Sequence, residues 1–195
     1  MIPGGRIYLA SRSPRRQELL RQIGVTFEVI PIDVDEAALS GESPHLYVER
    51  LARAKADAGW QRVEHERLPR APALGADTTV ALEDRILGKP SGPAEAAEML
   101  IALSGCTHEV LTAVAIRFEA RLESAVSVSK VRFKRLSEAE ISHYVASGDC
   151  NDKAGAYGIQ GEAARFVAEL RGSFSGVVGL PLYETSELLA RFQAP

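Results

Sequence analysis

The chain has 195 residues, 46% of them hydrophobic and 25% charged, enough for one substantial core and unlike disorder or a repeat array. A formal net charge of −3 argues against a broad nucleic-acid footprint, which needs many lysines and arginines neutralising phosphates together, so any basic site must be local. Cys106 and Cys150 form no CxxC pair, Met1 to Arg6 lack the apolar stretch of a leader and no run reaches membrane-spanning length. No zinc knuckle, disulfide framework or membrane contact is therefore indicated, and a reducing, cytoplasmic location is expected.

Ile7 to Ala10 read as a first strand, and Ser13 is a natural N-cap with Pro14 at the first helical position and Gln17-Glu18-Leu19-Leu20 continuing the helix. Arg12, Arg15 and Arg16 are thus delivered to a helix N-terminus, where unpaired N–H groups and the helix dipole already favour an anion. This reads as a polyphosphate-binding corner, although a capped surface helix with solvated arginines explains the six residues equally well. Phe27 to Ile32 read as a second strand and Asp33 to Gly41 as an acidic turn region. Asp35 and Glu36 within it offer oxygen ligands sufficient for magnesium, which takes only one or two protein carboxylates; a solvated turn is the plainer account of the pair alone.

Ser43 and Pro44 open a helix running to about Gly59, and Arg62 to Pro72 are expected to form an exposed loop. Ala73 to Ala76 and Thr79 to Glu83 read as a strand interrupted at Asp77-Thr78, with a hairpin turn at Asp84-Arg85 and a return through Ile86-Leu87 to Gly88-Lys89-Pro90. Pro93 opens a helix through Leu103. Thr107 to Phe118 and Ala125 to Phe133 form an expected antiparallel pair joined by a charged turn, Glu119 to Glu123. Ser137 and Glu140 make a capping box for a helix ending near Gly148. Asp149 to Gly161 are glycine-punctuated loop, two short β segments follow, and Pro181 starts the terminal helix. The order predicts a single α/β domain, with room for two lobes: a mixed, partly antiparallel twisted sheet flanked by helices, with a substrate cleft.

Asp77 stands at or near the end of a short apolar strand, where ligands of open α/β sheets collect. An aspartate there can bind a divalent cation or take a proton from an attacking water, though a turn-forming role is commoner for Asp. Lys55 and Lys89 are candidate phosphate partners among many solvated lysines. The segment Asp152-Lys153-Ala154-Gly155-Ala156-Tyr157-Gly158-Ile159-Gln160-Gly161 lets backbone approach a ligand closely and brings an amide, Gln160, suited to a nucleobase edge. It matches neither a P-loop nor a dinucleotide fingerprint. His45, His65, His108 and His143 show no metal-ligand spacing and no GxSxG elbow is present, so histidine-based triad chemistry is unsupported.

Together with Leu9-Ala10-Ser11-Arg12-Ser13-Pro14-Arg15-Arg16, Gly75-Ala76-Asp77-Thr78-Thr79, Gly88-Lys89-Pro90, Leu103-Ser104-Gly105 and Val178-Gly179-Leu180-Pro181, this segment makes the chain resemble the Maf family of nucleoside triphosphate pyrophosphatases, from Ile7 to about Phe192. The resemblance implies a Maf/ITPase-like fold and a nucleoside triphosphate substrate cut between its α and β phosphates. It further implies a divalent metal cation such as Mg or Mn as cofactor and, often, a homodimer. By position, Asp77 matches the proton acceptor. Arg15, Thr78 and Gln160 match substrate-choice positions, and Ser11, Arg16, Glu36, Lys55, Lys89 and Asp152 match polar pocket positions; Glu36 and Asp77 are the expected metal ligands. The chain looks like the dTTP and UTP branch, because the 7-methyl-GTP branch tends to carry Gln after the catalytic Asp and Glu where Gln160 stands. Arg12, where many relatives have a small residue, departs from the pattern. Uracil and thymine alternate acceptor, donor and acceptor, which an amide can meet, whereas a guanine edge offers adjacent donors better matched by a carboxylate. A nucleotide-binding regulator of cell division acting through a protein partner is the alternative.

Overall fold

The computed structural model describes residues 5–192; of the N-terminal stretch read for a leader, Met1 to Gly4 lie outside them. Two parallel strands begin the sheet, β1 (Ile7–Leu9) and β2 (Phe27–Val29), joined by α1 (Pro14–Gln22). Next come α2 (Pro44–His65), β3 (Ala73–Leu82), β4 (Arg85–Leu87) and α3 (Pro93–Leu103). The long hairpin β5 (Thr107–Phe118) and β6 (Arg121–Phe133) leads to α4 (Glu138–Ala146), β7 (Val167–Arg171), α5 (Phe174–Val178) and α6 (Leu182–Arg191). The seven strands form one mixed sheet in the order β2-β1-β3-β5-β6-β7, with β4 paired to β3. The β2-β1-β3 portion is parallel and the remainder antiparallel, as the sequence leads one to expect. Among the described residues no helix is long and apolar enough to cross a membrane.

The period of two along β3 and β5 divides the core. Leu74, Ala76, Val80, Val110, Val114 and Ile116 face the larger cluster with α1, α3 and α6, while Ala81, Leu111, Ala113 and Ala115 face Val48, Ala52 and Ala56 of α2.

Several boundaries differ from the sequence reading, each for a physical reason. Helix α2 continues past Gly59 to His65 because this glycine serves contact: a Cβ there would lie 2.9 Å from Ala10 Cβ and 3.2 Å from Ala73 Cβ. The expected Arg62–Pro72 loop therefore begins with a helical turn that buries Val63. Strand β2 stops at Val29, short of Ile32. Strand β3 runs unbroken through Asp77-Thr78, since β5 pairs with it continuously from Ala73 to Ala81. The Glu119–Glu123 turn shrinks, with Glu119 at φ 54° and β6 already begun at Arg121. In place of a second late β segment stands α5, capped by Ser173 Oγ, which accepts the Gly176 N–H at 2.9 Å, and ended by Gly179 at φ 131°.

Candidate active site

The cleft begins where the sheet loses a neighbour. Strand β1 pairs with β3 only at Ala73 and Leu74, and β4 pairs with it only from Val80. Between them one edge of β3 lies open at Asp77 to Thr79. Asp77 is thus mid-strand, a correction to its expected place near a strand end, yet it lies just past the carboxyl end of β1. Ligands collect at such an opening for the reason they collect beyond parallel strands, namely that backbone and helix termini point into it. Asp77 and Thr78 project to opposite faces of β3, and the open edge lets both line the same cavity.

Asp77 is 7% exposed. A buried carboxylate needs a partner, and the sequence supplies one through Gly75. A Cβ at Gly75 would lie 2.4 Å from the Ala52 carbonyl and the Ala56 nitrogen, so only glycine lets the α2 backbone rest on β3. That approach carries Lys55 to Asp77: Lys55 Nζ donates to Asp77 Oδ1 and to Glu36 Oε1, both at 2.6 Å. Lys55 is 8% exposed and committed to these two carboxylates, so it serves as their charge partner where the sequence offered it as a phosphate ligand. Lys89 Nζ lies 3.6 Å from Glu36 Oε2 and is largely exposed.

The two carboxylates titrate in opposite senses. Burial raises the pKa of Asp77 above the ordinary range, outweighing the charges of Lys55 and Arg16. At Glu36 burial also opposes charge, but the hydrogen bond and charge of Lys55, with Lys89, overcome it and hold the group below that range.

The segment carrying Glu36 is tied to α2 by residues the sequence reading passed over. Tyr47 Oη donates to the Glu36 carbonyl at 3.0 Å, and Arg50 donates to the Ala37 carbonyl at 3.0 Å and to both oxygens of Glu42 at 2.6 and 2.7 Å. Burial and the nearby Asp77 and Glu36 charges push Tyr47 up to about 12, keeping it a neutral donor. Their spacing gave a signal: Tyr47 and Arg50 are three residues apart and so neighbours on the surface of α2.

Across the cleft, Ser13 Oγ caps α1 by accepting the Arg16 N–H at 3.4 Å. Arg16 donates to the Gly179 carbonyl at 2.8 Å, Ser11 Oγ at 3.2 Å and Thr78 Oγ1 at 3.4 Å. Thr78 Oγ1 also lies 3.0 Å from Thr112 Oγ1, which donates to the Gly176 carbonyl at 2.7 Å. Arg15 pairs with Asp152 of the glycine loop at 3.6 Å, and Arg12 forms an exposed pair with Asp33 at 3.5 Å.

Ser11, Arg15, Arg16, Glu36, Lys55, Asp77, Thr78, Lys89, Asp152 and Gln160 all line a single cavity of about 730 Å³. The three pieces singled out in the sequence, the arginine-bearing helix tip, Asp77 and the late glycine loop, therefore share one pocket. Its size suits a small organic ligand. The donor set also fits a hard divalent cation. Two carboxylates meet at one ammonium, and Asp77 Oδ2 accepts no hydrogen bond among the described residues. Among the described residues no group of three or more His, Cys, Asp or Glu could hold a metal ion by itself; magnesium needs only one or two protein carboxylates.

The family model described as Maf-like protein matches residues 6–192. A protein of Aromatoleum aromaticum named dTTP/UTP pyrophosphatase is 55% identical, the match covering 97% of each chain. Proteins of the same name from Nitrosospira multiformis and Nitrosomonas europaea are 55% and 52% identical, covering 94% and 95% of this chain and 93% and 94% of theirs. Among solved structures, the Staphylococcus aureus Ham1 protein is similar at a TM-score of 0.43 and 13% identity, covering 66% of this chain and 71% of that one.

Proposed function

The chain belongs to the Maf family, and from that premise we propose that it is a single-domain pyrophosphatase hydrolysing dTTP and UTP to the nucleoside monophosphate and pyrophosphate. The relatives named for that activity, at 52–55% identity over nearly the whole chain, support the substrate class. The observation that carries the chemistry is the Asp77–Lys55–Glu36 set at the open edge of β3, facing the arginine-bearing tip of α1. Its substrates belong to the cytoplasm, where we place the protein.

In this reading water attacks the α-phosphorus in line. Its proton passes to Asp77 Oδ2, its oxygen joins the phosphorus, and the bond from that phosphorus to the oxygen bridging to the β-phosphate breaks. Lys55 holds the other carboxylate oxygen, so the base keeps a fixed direction. A carboxylate whose proton affinity is raised by burial is a stronger proton acceptor than an exposed one. Charge on the departing pyrophosphate meets Arg15, Arg16, Lys89 and the positive end of the α1 dipole. Arg16, fixed by three acceptors, can face that charge with little reorganisation. A divalent cation, held by Glu36 and Asp77 with the substrate phosphates, would neutralise triphosphate charge when bound.

On the opposite wall Gln160 is exposed and its amide has no hydrogen-bond partner among the described residues. We assign it to the pyrimidine edge, Arg15 and Thr78 to substrate choice with it, and Ser11 and Asp152 to lining the polyphosphate path. The test is a pyrophosphate-release panel over UTP, dTTP, CTP, GTP and ATP with magnesium or manganese. Release fastest from UTP and dTTP is expected; nucleotide binding without pyrophosphate release with either metal would overturn the enzymatic reading.

A further inference from the structure

The wall that carries Gln160 is seated on Asp149, a residue that none of these roles includes. Tyr144, fully buried on α4, donates its hydroxyl proton to Asp149 Oδ2 at 2.7 Å and accepts the Gly158 N–H at 3.2 Å. Lys153 Nζ donates to the Asp149 carbonyl, lies 3.0 Å from Asp149 Oδ1 and donates to Asp152 Oδ1 at 2.7 Å. Two carboxylates and a carbonyl thus occupy this ammonium, whose side chain is 13% exposed, and Lys153 acts as a tie although it lines the cleft.

The glycines flanking Gln160 rest directly on the same pair. A Cβ at Gly161 would lie 2.6 Å from Asp149 Oδ2, and one at Gly158 2.6 Å from Lys153 Cε. The turn that presents Gln160 therefore takes its position from the Asp149 carboxylate and the groups bonded to it. Asp152 extends the chain of contacts to Arg15 on the far wall.

We propose that Asp149 is a positioning residue for nucleobase choice, holding the Gly158–Gly161 turn, and so the Gln160 amide, through Tyr144 and Lys153. This rests on the assignment of Gln160 to the base edge. Loosening the turn raises KM for UTP and narrows the preference over GTP. Turnover at saturation stays nearly constant, because the Asp77–Lys55–Glu36 set stands on other elements.

The experiment measures kcat and KM for UTP and GTP in wild type, Asp149→Asn, Tyr144→Phe, their double variant and Gln160→Ala. Each single change at 149 or 144 is expected to lower the UTP-to-GTP ratio of kcat/KM by about fivefold, the scale of one lost hydrogen bond. The double variant should lose little more than the larger single, and kcat for UTP should stay within about twofold. Tyr144→Phe keeps the buried ring, so it carries the test if Asp149→Asn does not fold. An unchanged ratio in the folded variants while Gln160→Ala shifts it would overturn the role of Asp149 alone. A loss confined to kcat, or multiplicative losses in the double variant, would do the same. An unchanged ratio in Gln160→Ala as well would overturn the assignment of Gln160, and this inference with it.

Discussion

The two walls of the cleft are built differently. Asp77 and Lys55 stand on a long central strand and a long helix whose backbones touch at Gly75, both nearly excluded from water. Asp152 and Gln160 are exposed and stand at either end of a segment whose only regular structure is a single turn at Ala154–Ala156. The first wall holds ionisable groups by burial and short hydrogen bonds, which suits a positioned proton acceptor; the second presents exposed hydrogen-bonding groups whose replacement costs the fold little. In the proposed reading the proton acceptor thus sits on the scaffold and the contact to the base edge on the loop.

The contrast breaks most visibly at Asp77. Asp77→Asn should lower kcat by roughly a hundredfold or more, the scale of a lost positioned base, while its melting temperature rises. The sign follows from the raised pKa: the fold binds this proton more tightly than the unfolded chain, so the ionised group opposes folding at neutral pH and the neutral amide does not. A melting temperature that falls with activity would show the carboxylate to be a net stabiliser.

Lys55→Met sharpens the same wall. It leaves two neighbouring carboxylates without their shared cation, so the acid limb of the kcat/KM profile should move up by about one pH unit or more. An unmoved limb would separate Asp77 from the titration that governs the rate.

Gln160→Glu probes the other wall, where an effect on choice without collapse of turnover is expected: the UTP-to-GTP ratio of kcat/KM should fall about tenfold. Unchanged relative rates would remove Gln160 from base recognition.

A last effect, on stability and not on rate, concerns the floor beneath the loop. His108, fully buried, lies 2.8 Å from Tyr157 Oη through Nε2, and its Nδ1 has no partner among the described residues. Burial lowers its pKa from 6.5 to about 4. Between these values the unfolded chain binds the extra proton, so stability present above pH 6.5 is lost as pH falls toward 4, by roughly 3 kcal/mol. Denaturant titrations of wild type and His108→Phe across this range check it: the variant's slope should be flatter, and parallel slopes would contradict it.

The sequence made the second wall's composition legible but not its support. Glycine spacing marked a loop that approaches a ligand, while the seat under it, Tyr144 and Asp149, consists of ordinary residues whose meeting depends on where α4 ends. The first wall was legible as residues and misread as structure. Asp77-Thr78 breaks an apolar run, which reads as a strand end; only the partner on α2 makes an aspartate tolerable in mid-strand. Gly59 reads as a helix stop and is a packing contact, and nothing local distinguishes the two. The capping signals at Ser13, Ser43 and Ser137 were read correctly because a cap is a short-range arrangement complete within four residues.

Everything proposed for the cleft depends on water being directed at the α-phosphorus beside Asp77. Hydrolysis of UTP in heavy-oxygen water, followed by mass analysis of both products after a single turnover, tests it most directly. The label is expected in the nucleoside monophosphate and not in pyrophosphate; label in the pyrophosphate would place the attack at the β-phosphorus instead.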